Sequence, residues 1–160
     1  MPTALTGLGH VGLITATIAS ELTADLGNND LSATGSVIIA RVGKPPRMPF
    51  VSLLPMQVSS DEAGPSLGLF ERRAEVFVEG WSATAANNAT GSYAAGSTLA
   101  NEVMQTTEAM HRETGGALIA LGVRNLYFSE VEFLNAESSS AQIGHFRATL
   151  VFTYATPKGL

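Results

Sequence analysis

Few residues of this chain are of a type and spacing that could do chemistry. Gly7-Leu8-Gly9-His10-Val11-Gly12 matches G-x-G-x-x-G, the pattern that lets a backbone approach a dinucleotide pyrophosphate at a helix N-terminus. That chemistry needs a strand directly before the first glycine. Only Met1 to Thr6 precede it, Pro2 weakens a buried strand there, and no βαβ unit with an acidic ribose ligand follows. Residues 1–10 are therefore expected to form a flexible arm. The histidines His10, His111 and His145 show no His-x-x-x-His spacing that would bring two metal ligands together. His111 and Arg112 fall in the last turn of a predicted helix, where cations interact favourably with the helix dipole. Ser66, Ser82 and Ser97 are read as lying outside a nucleophile elbow. Glu71, Glu75 and Glu79, and again Glu130 and Glu132, could divide acid and base roles if burial separated their pKa values. Unpaired charges are rarely buried, so a solvated strand face is the expectation for them. Asn88-Ala89-Thr90 fits the glycosylation sequon, which is read as incidental. The residues predict no enzyme, no cofactor and no metal.

The absence of cysteine excludes disulfides, thiolate nucleophiles and Cys-ligated metal sites. A chain of 160 residues suits one domain able to bury its own core. Only 14% of residues are charged, against about 25% in ordinary soluble domains, which leaves surface for a partner. The formal charge of -5 argues against a module that neutralises phosphates. Met1 to Leu22 is apolar but has no basic residue ahead of it and is interrupted by Thr, Ser, His and Glu. It matches neither a signal peptide nor a membrane span, so cytosolic synthesis is expected.

The elements that would position these residues follow from periodicity. Val11, Ile14, Ile18, Leu22 and Leu26 form a helical stripe with Gly27 as a stop, although Ile14-Thr15-Ala16-Thr17-Ile18 also suits a strand. Ser36 to Val42 and Pro49 to Pro55 read as strands, joined by the stiff basic segment Gly43-Lys44-Pro45-Pro46-Arg47. Residues 56–69 read as a long loop. Phe70 to Glu79 is an amphipathic strand, with Glu71, Arg73, Glu75 and Glu79 on its wet face and Ala74, Val76 and Val78 on its buried one. Residues 82–98 read as an adaptable loop. The helix after it starts near Ala94 or Thr98, carries Leu99, Val103, Thr106 and Met110 on one stripe, and ends at Gly115-Gly116. Ala117 to Gly122 reads as a turn or a short strand start, Asn125 to Phe133 as a strand, and residues 135–142 as a loop. In Ile143 to Tyr154, Phe146, Ala148, Leu150, Phe152 and Tyr154 share one face of a half-buried strand. The expected fold is a single α+β domain over 1–160: a mostly antiparallel, mixed sheet of about five strands with two helices packed on one face.

This order resembles the tail-terminator proteins of long-tailed bacteriophages, small α+β subunits that form a hexameric ring capping the tail tube. The likeness is carried by Phe50 to Pro55, by Arg72 to Val78, by the single long helix ending at Gly115-Gly116, and by the closing strands Asn125 to Phe133 and His145 to Tyr154. It implies a virion protein made in the host cytoplasm. That protein would end tube polymerisation and join the tail-tube protein to a head-completion or adaptor protein, without membrane contact. DNA would then pass through the ring without specific binding, along a lumen face holding Glu71, Glu75 and Glu79. Partner contacts would fall to Lys44, Arg47, Asp61, Glu62, Trp81, Tyr93 and Ser139. A head-tail adaptor or tail-tube subunit is the neighbouring reading, and a small-molecule-binding or enzymatic α+β domain the reading from another class.

Overall fold

The structure is a computed structural model that describes residues 9–24, 31, 35–40, 43–60, 69–85, 91–113, 116–134, 136–137 and 141–157. Helix α1, Gly9–Ala24, buries Val11, Ile14, Ile18 and Leu22, the stripe expected from the sequence. Leu26 lies outside the described residues. The helix starts earlier than expected, so Gly9 and His10 belong to it and not to an arm; Gly7 and Leu8 lie outside the described residues. Its β-branched threonines are accommodated by donating back along the helix, Thr15 Oγ1 to Val11 O and Thr23 Oγ1 to Ala19 O, each at 2.8 Å.

The sheet runs β1-β2-β3-β6-β4, with β5 also paired to β6. The long strands are β2 (Phe50–Ser60), β3 (Leu69–Ala85), β4 (Val123–Phe133) and β6 (Ala141–Pro157). Their pairings are all antiparallel. The two-residue β1 (Val37–Ile38) adds to β2 in parallel, and β5 (Ala136–Glu137) adds to β6. Because β3 and β4 each run antiparallel to β6, which lies between them, they are parallel to one another. Such a connection has to cross a face of the sheet. Helix α2, Gly91–Arg112, makes the crossing, and a single turn, α3 (Ala117–Ala120), completes it. The class is the expected one, α+β with a mixed sheet.

Several boundaries differ from the sequence reading. The strand expected over Ser36 to Val42 shrinks to Val37–Ile38. Residues 56–60 are strand, paired up to Ser60 with Arg72. Residues 82–85 and 141–142 extend the rungs between β3 and β6 to Ala85 with Ala141. Residues 91–98 are already helix. In the strand stretches 56–60, 82–85 and 141–142, backbone pairing to a neighbour holds the conformation that local propensity leaves undecided. What remains of the three expected loops, residues 61–68, 86–90, 135 and 138–140, lies outside the described residues. The turn expected over Ala117 to Gly122 contains α3.

Register divides the side chains cleanly. Leu53, Val78 and Ala148 are partners, as are Val76 and Leu150, and Ala74 and Phe152. All are buried on the face covered by α1 and α2. Helix α2 contributes Leu99, Val103, Thr107 and Met110 to this core. Thr107, not Thr106, occupies the stripe, and its hydroxyl donates to Val103 O at 2.7 Å, so a buried polar group is satisfied. Gly122, with φ of +84°, turns the chain into β4, and a Cβ there would lie 2.6 Å from Ala155 O. Only glycine fits.

Candidate functional site

The face of the sheet opposite the helices is ordered in rows across the strands. One row is aromatic. Phe50, Trp81 and His145 are register partners, with ring centroids 5.7 Å apart for Phe50 and Trp81, and 4.7 Å at an interplanar angle of 16° for Trp81 and His145. The next row is charged and runs Ser52, Glu79, Arg147, Glu132. Glu79 Oε2 lies 2.5 Å from His145 Nε2 and accepts from Arg147 Nε at 3.1 Å. The Glu79 residue is only 4% exposed. A carboxylate in that position needs donors, and two neighbouring residues of β6 supply them.

This corrects the wet-face expectation for one of its members. Glu71 and Glu75 are half-exposed, but Glu79 is buried, and Trp81 is a buried strand residue, not part of a contact loop. Arg73 Nη1 pairs with Glu75 Oε1 at 3.0 Å. Arg73 and Arg147 thus offset two carboxylates on this face, and the repulsion of phosphates expected from Glu71, Glu75 and Glu79 is reduced. Chemically, the Glu79, His145 and Arg147 cluster ties β3 to β6. The sequence reading missed it because His145 and Arg147 became neighbours of Glu79 only through the register of β3 and β6, which strand alternation does not reveal.

A second feature lies beside the edge strand. Ser97, Asn101, Glu102, Met104 and Gln105 of α2, with Val131 and Phe133 of β4, line a groove of 660 Å³. Tyr93, in the first turn of α2 and 59% exposed, packs edge-on against Phe133 at 5.5 Å. Val131 and Phe133 are each 36% exposed, and Tyr127 of the same strand is exposed on the opposite face. Of the expected contact residues, Lys44 and Arg47 are exposed in the connection between β1 and β2. Asp61, Glu62 and Ser139 lie outside the described residues.

Two further motifs are present in the sequence. Gly64-Pro65-Ser66-Leu67-Gly68 is a Gly-x-Ser-x-Gly match that the sequence reading passed over. An elbow needs a strand before it and a helix after it. Here β2 and β3 flank the match, and residues 61–68 lie outside the described set. Glu108-Ala109-Met110-His111 gives a Glu-x-x-His spacing, but Glu108 turns to Arg112, at 3.8 Å. His10 Nε2 lies 2.6 Å from Leu121 O and its ring stacks on Tyr154 at 5.3 Å, a packing role between α1 and β6. Among the described residues no group of three His, Asp or Glu could hold a metal ion, and no helix is long and apolar enough to cross a membrane.

No family model matches the sequence, and no curated protein matches it. Among solved structures, the chain is similar to one from the virion of a native gene transfer agent (GTA) particle. The two are 19% identical, the match covers 93% of this chain and 98% of the other, and the TM-score is 0.45. A likeness of that degree does not decide a function.

Proposed function

We propose that the chain is a non-enzymatic structural subunit of a phage-like particle, forming a ring that caps the tail tube, ends its polymerisation and joins it to the neck. The observation that carries this reading is one group among the exposed large apolar side chains. Tyr127 is exposed on the far face of β4, while Tyr93, Val131 and Phe133 gather on its helix side, at one margin of the sheet. A contiguous apolar surface of this kind suits protein contact. On the face away from the helices, buried Glu79 is paired with His145 and Arg147. The sequence resemblance to tail terminators points the same way.

Electron microscopy of the purified chain, alone and with the tail-tube protein of the same particle, tests the reading. Short closed rings alone, and tubes of limited length bearing the chain at one end, are the expected result. Long tubes of the chain by itself would favour the tube-subunit reading. Absence of the chain from purified particles would end the proposal.

A further inference from the structure

We propose that β4 pairs antiparallel with β4 of a second copy, across a two-fold axis at Tyr127. The contact joins two copies and no more, so it does not rest on the ring reading above. Its first support is the open edge. β4 ends the strand order and its ladder runs only to β6, so among the described residues its outer N–H and C=O groups have no strand partner. Such an edge is a template for another strand. Edges are commonly guarded by charge or proline, yet Asn125-Leu126-Tyr127-Phe128-Ser129 holds neither.

Charge at the two ends of that run is the second support. Arg124 and Glu130 bound it, and both are exposed. Among the described residues neither has an ion-pair partner in its own chain. The ladder to β6 slips at both places, between Val123 and Asn125 and between Ser129 and Glu132, so the regular pairing surface is the run between them. Turning one copy about Tyr127 puts Asn125 opposite Ser129, Leu126 opposite Phe128, and Arg124 opposite Glu130 at both ends. Opposite charges in cross-strand positions attract. A parallel, in-register pair would instead set Arg124 beside Arg124 and Glu130 beside Glu130.

The third support is the apolar surface at the strand's ends. Residues opposite one another across a ladder share a face, so both helix layers lie on the same side of the joined sheet. Helix α3 packs on α2 and β4 just before β4 begins, and its Ile119 is 45% exposed. The same turn brings that end of one copy beside Val131 and Phe133 of the other, both exposed on the helix side. Exposed apolar side chains at opposite ends of one strand thus cover each other.

The chain has no cysteine, so single cysteines report the register. Full-length Asn125→Cys and Ser129→Cys variants are mixed, oxidised and separated without reductant. A 125 to 129 disulfide is expected in excess over 125 to 125 and 129 to 129, whose positions lie roughly 13 Å apart, beyond the reach of the bond. It should also exceed a control pair of Asn125→Cys with Gly43→Cys, whose side chain enters open space. Charge exchange tests the contact without cysteine. Arg124→Glu alone and Glu130→Arg alone should each weaken the pair about tenfold in sedimentation. Mixing these two variants, or combining both changes in one chain, should restore it, which misfolding would not do. Same-site links in excess, no link above the control, or pairing indifferent to charge overturns the proposal. Native mass spectrometry of the unaltered chain keeps the two readings apart. Rings without the 125 to 129 link refute this contact and leave the ring standing, whereas linked pairs that never grow uphold the contact and count against the ring.

Discussion

Gly80 of β3 and Phe146 of β6 face each other across one rung of the sheet, and the Phe146 ring occupies the space that a Cβ at position 80 would need. Leu99 Cδ2 closes the same space from α2, 3.0 Å from that position. The missing side chain is what lets a fully buried phenylalanine lie flat under the helix.

Gly80→Ala should therefore destabilise the fold although alanine suits a strand at least as well as glycine. Overpacking of this kind costs about 1 to 3 kcal/mol. Urea denaturation followed by circular dichroism should show the midpoint fall; an unchanged midpoint would mean the ring moves aside freely.

Gly122→Ala should be costly for a different reason. The obstacle there is a backbone oxygen, Ala155 O, and φ is positive. A loss of about 1 to 3 kcal/mol is expected from the strained conformation, with Gly43→Ala, which meets nothing within 4 Å, as the silent control. Equal midpoints for the two variants would contradict the turn geometry.

Glu79→Gln tests the cross-strand cluster. It keeps the volume and removes the charge that His145 and Arg147 face, and hydrogen bonds to charged groups contribute about 1.5 to 3 kcal/mol. Arg147 is partly solvated, so the lower end is expected in urea denaturation. Glu71→Gln on the same strand should stay within about 0.5 kcal/mol. A Glu79 variant as stable as the Glu71 variant would show the cluster to be incidental.

Tyr154 gives a pH prediction. Burial raises its pKa above the ordinary 10.0, and nearby Arg72 lowers it in part. A group whose folded pKa is raised stabilises the fold fully below its unfolded pKa, and that contribution fades as pH rises through the folded value. Stability should therefore be flat in this respect near neutrality and decline above pH 10, and Tyr154→Phe should lessen the alkaline decline. Thermal melts from pH 8 to 11 on both proteins would check it; identical alkaline slopes would refute the assignment.

How far the sequence could be read depended on whether a residue's fate was local. Val11, Ile14, Ile18 and Leu22, and the face from Phe146 to Tyr154, are buried as their periodicity predicts, because one element decides its own faces. Residues 56–60, 82–85 and 91–98 carry weak patterns, and their structure depends on partners elsewhere in the chain. Glu79 shows the same limit at a functional scale. Alternation placed it correctly on a face with Glu71 and Glu75, but its burial depends on His145 and Arg147, 66 and 68 positions away. The groove was half legible. Tyr93 stood out as an isolated aromatic, while Val131 and Phe133 looked like ordinary strand residues until the edge position of β4 exposed them.

The chain holds a single tryptophan, and the fold places it, 5% exposed, against the His145 ring in the middle of the charged and aromatic rows. That makes the protein its own optical probe. The emission of Trp81 comes from one place only, so a shift in colour or intensity on mixing with a tryptophan-free partner would locate the event on the sheet face away from the helices. Silence during binding would direct attention to the helical side.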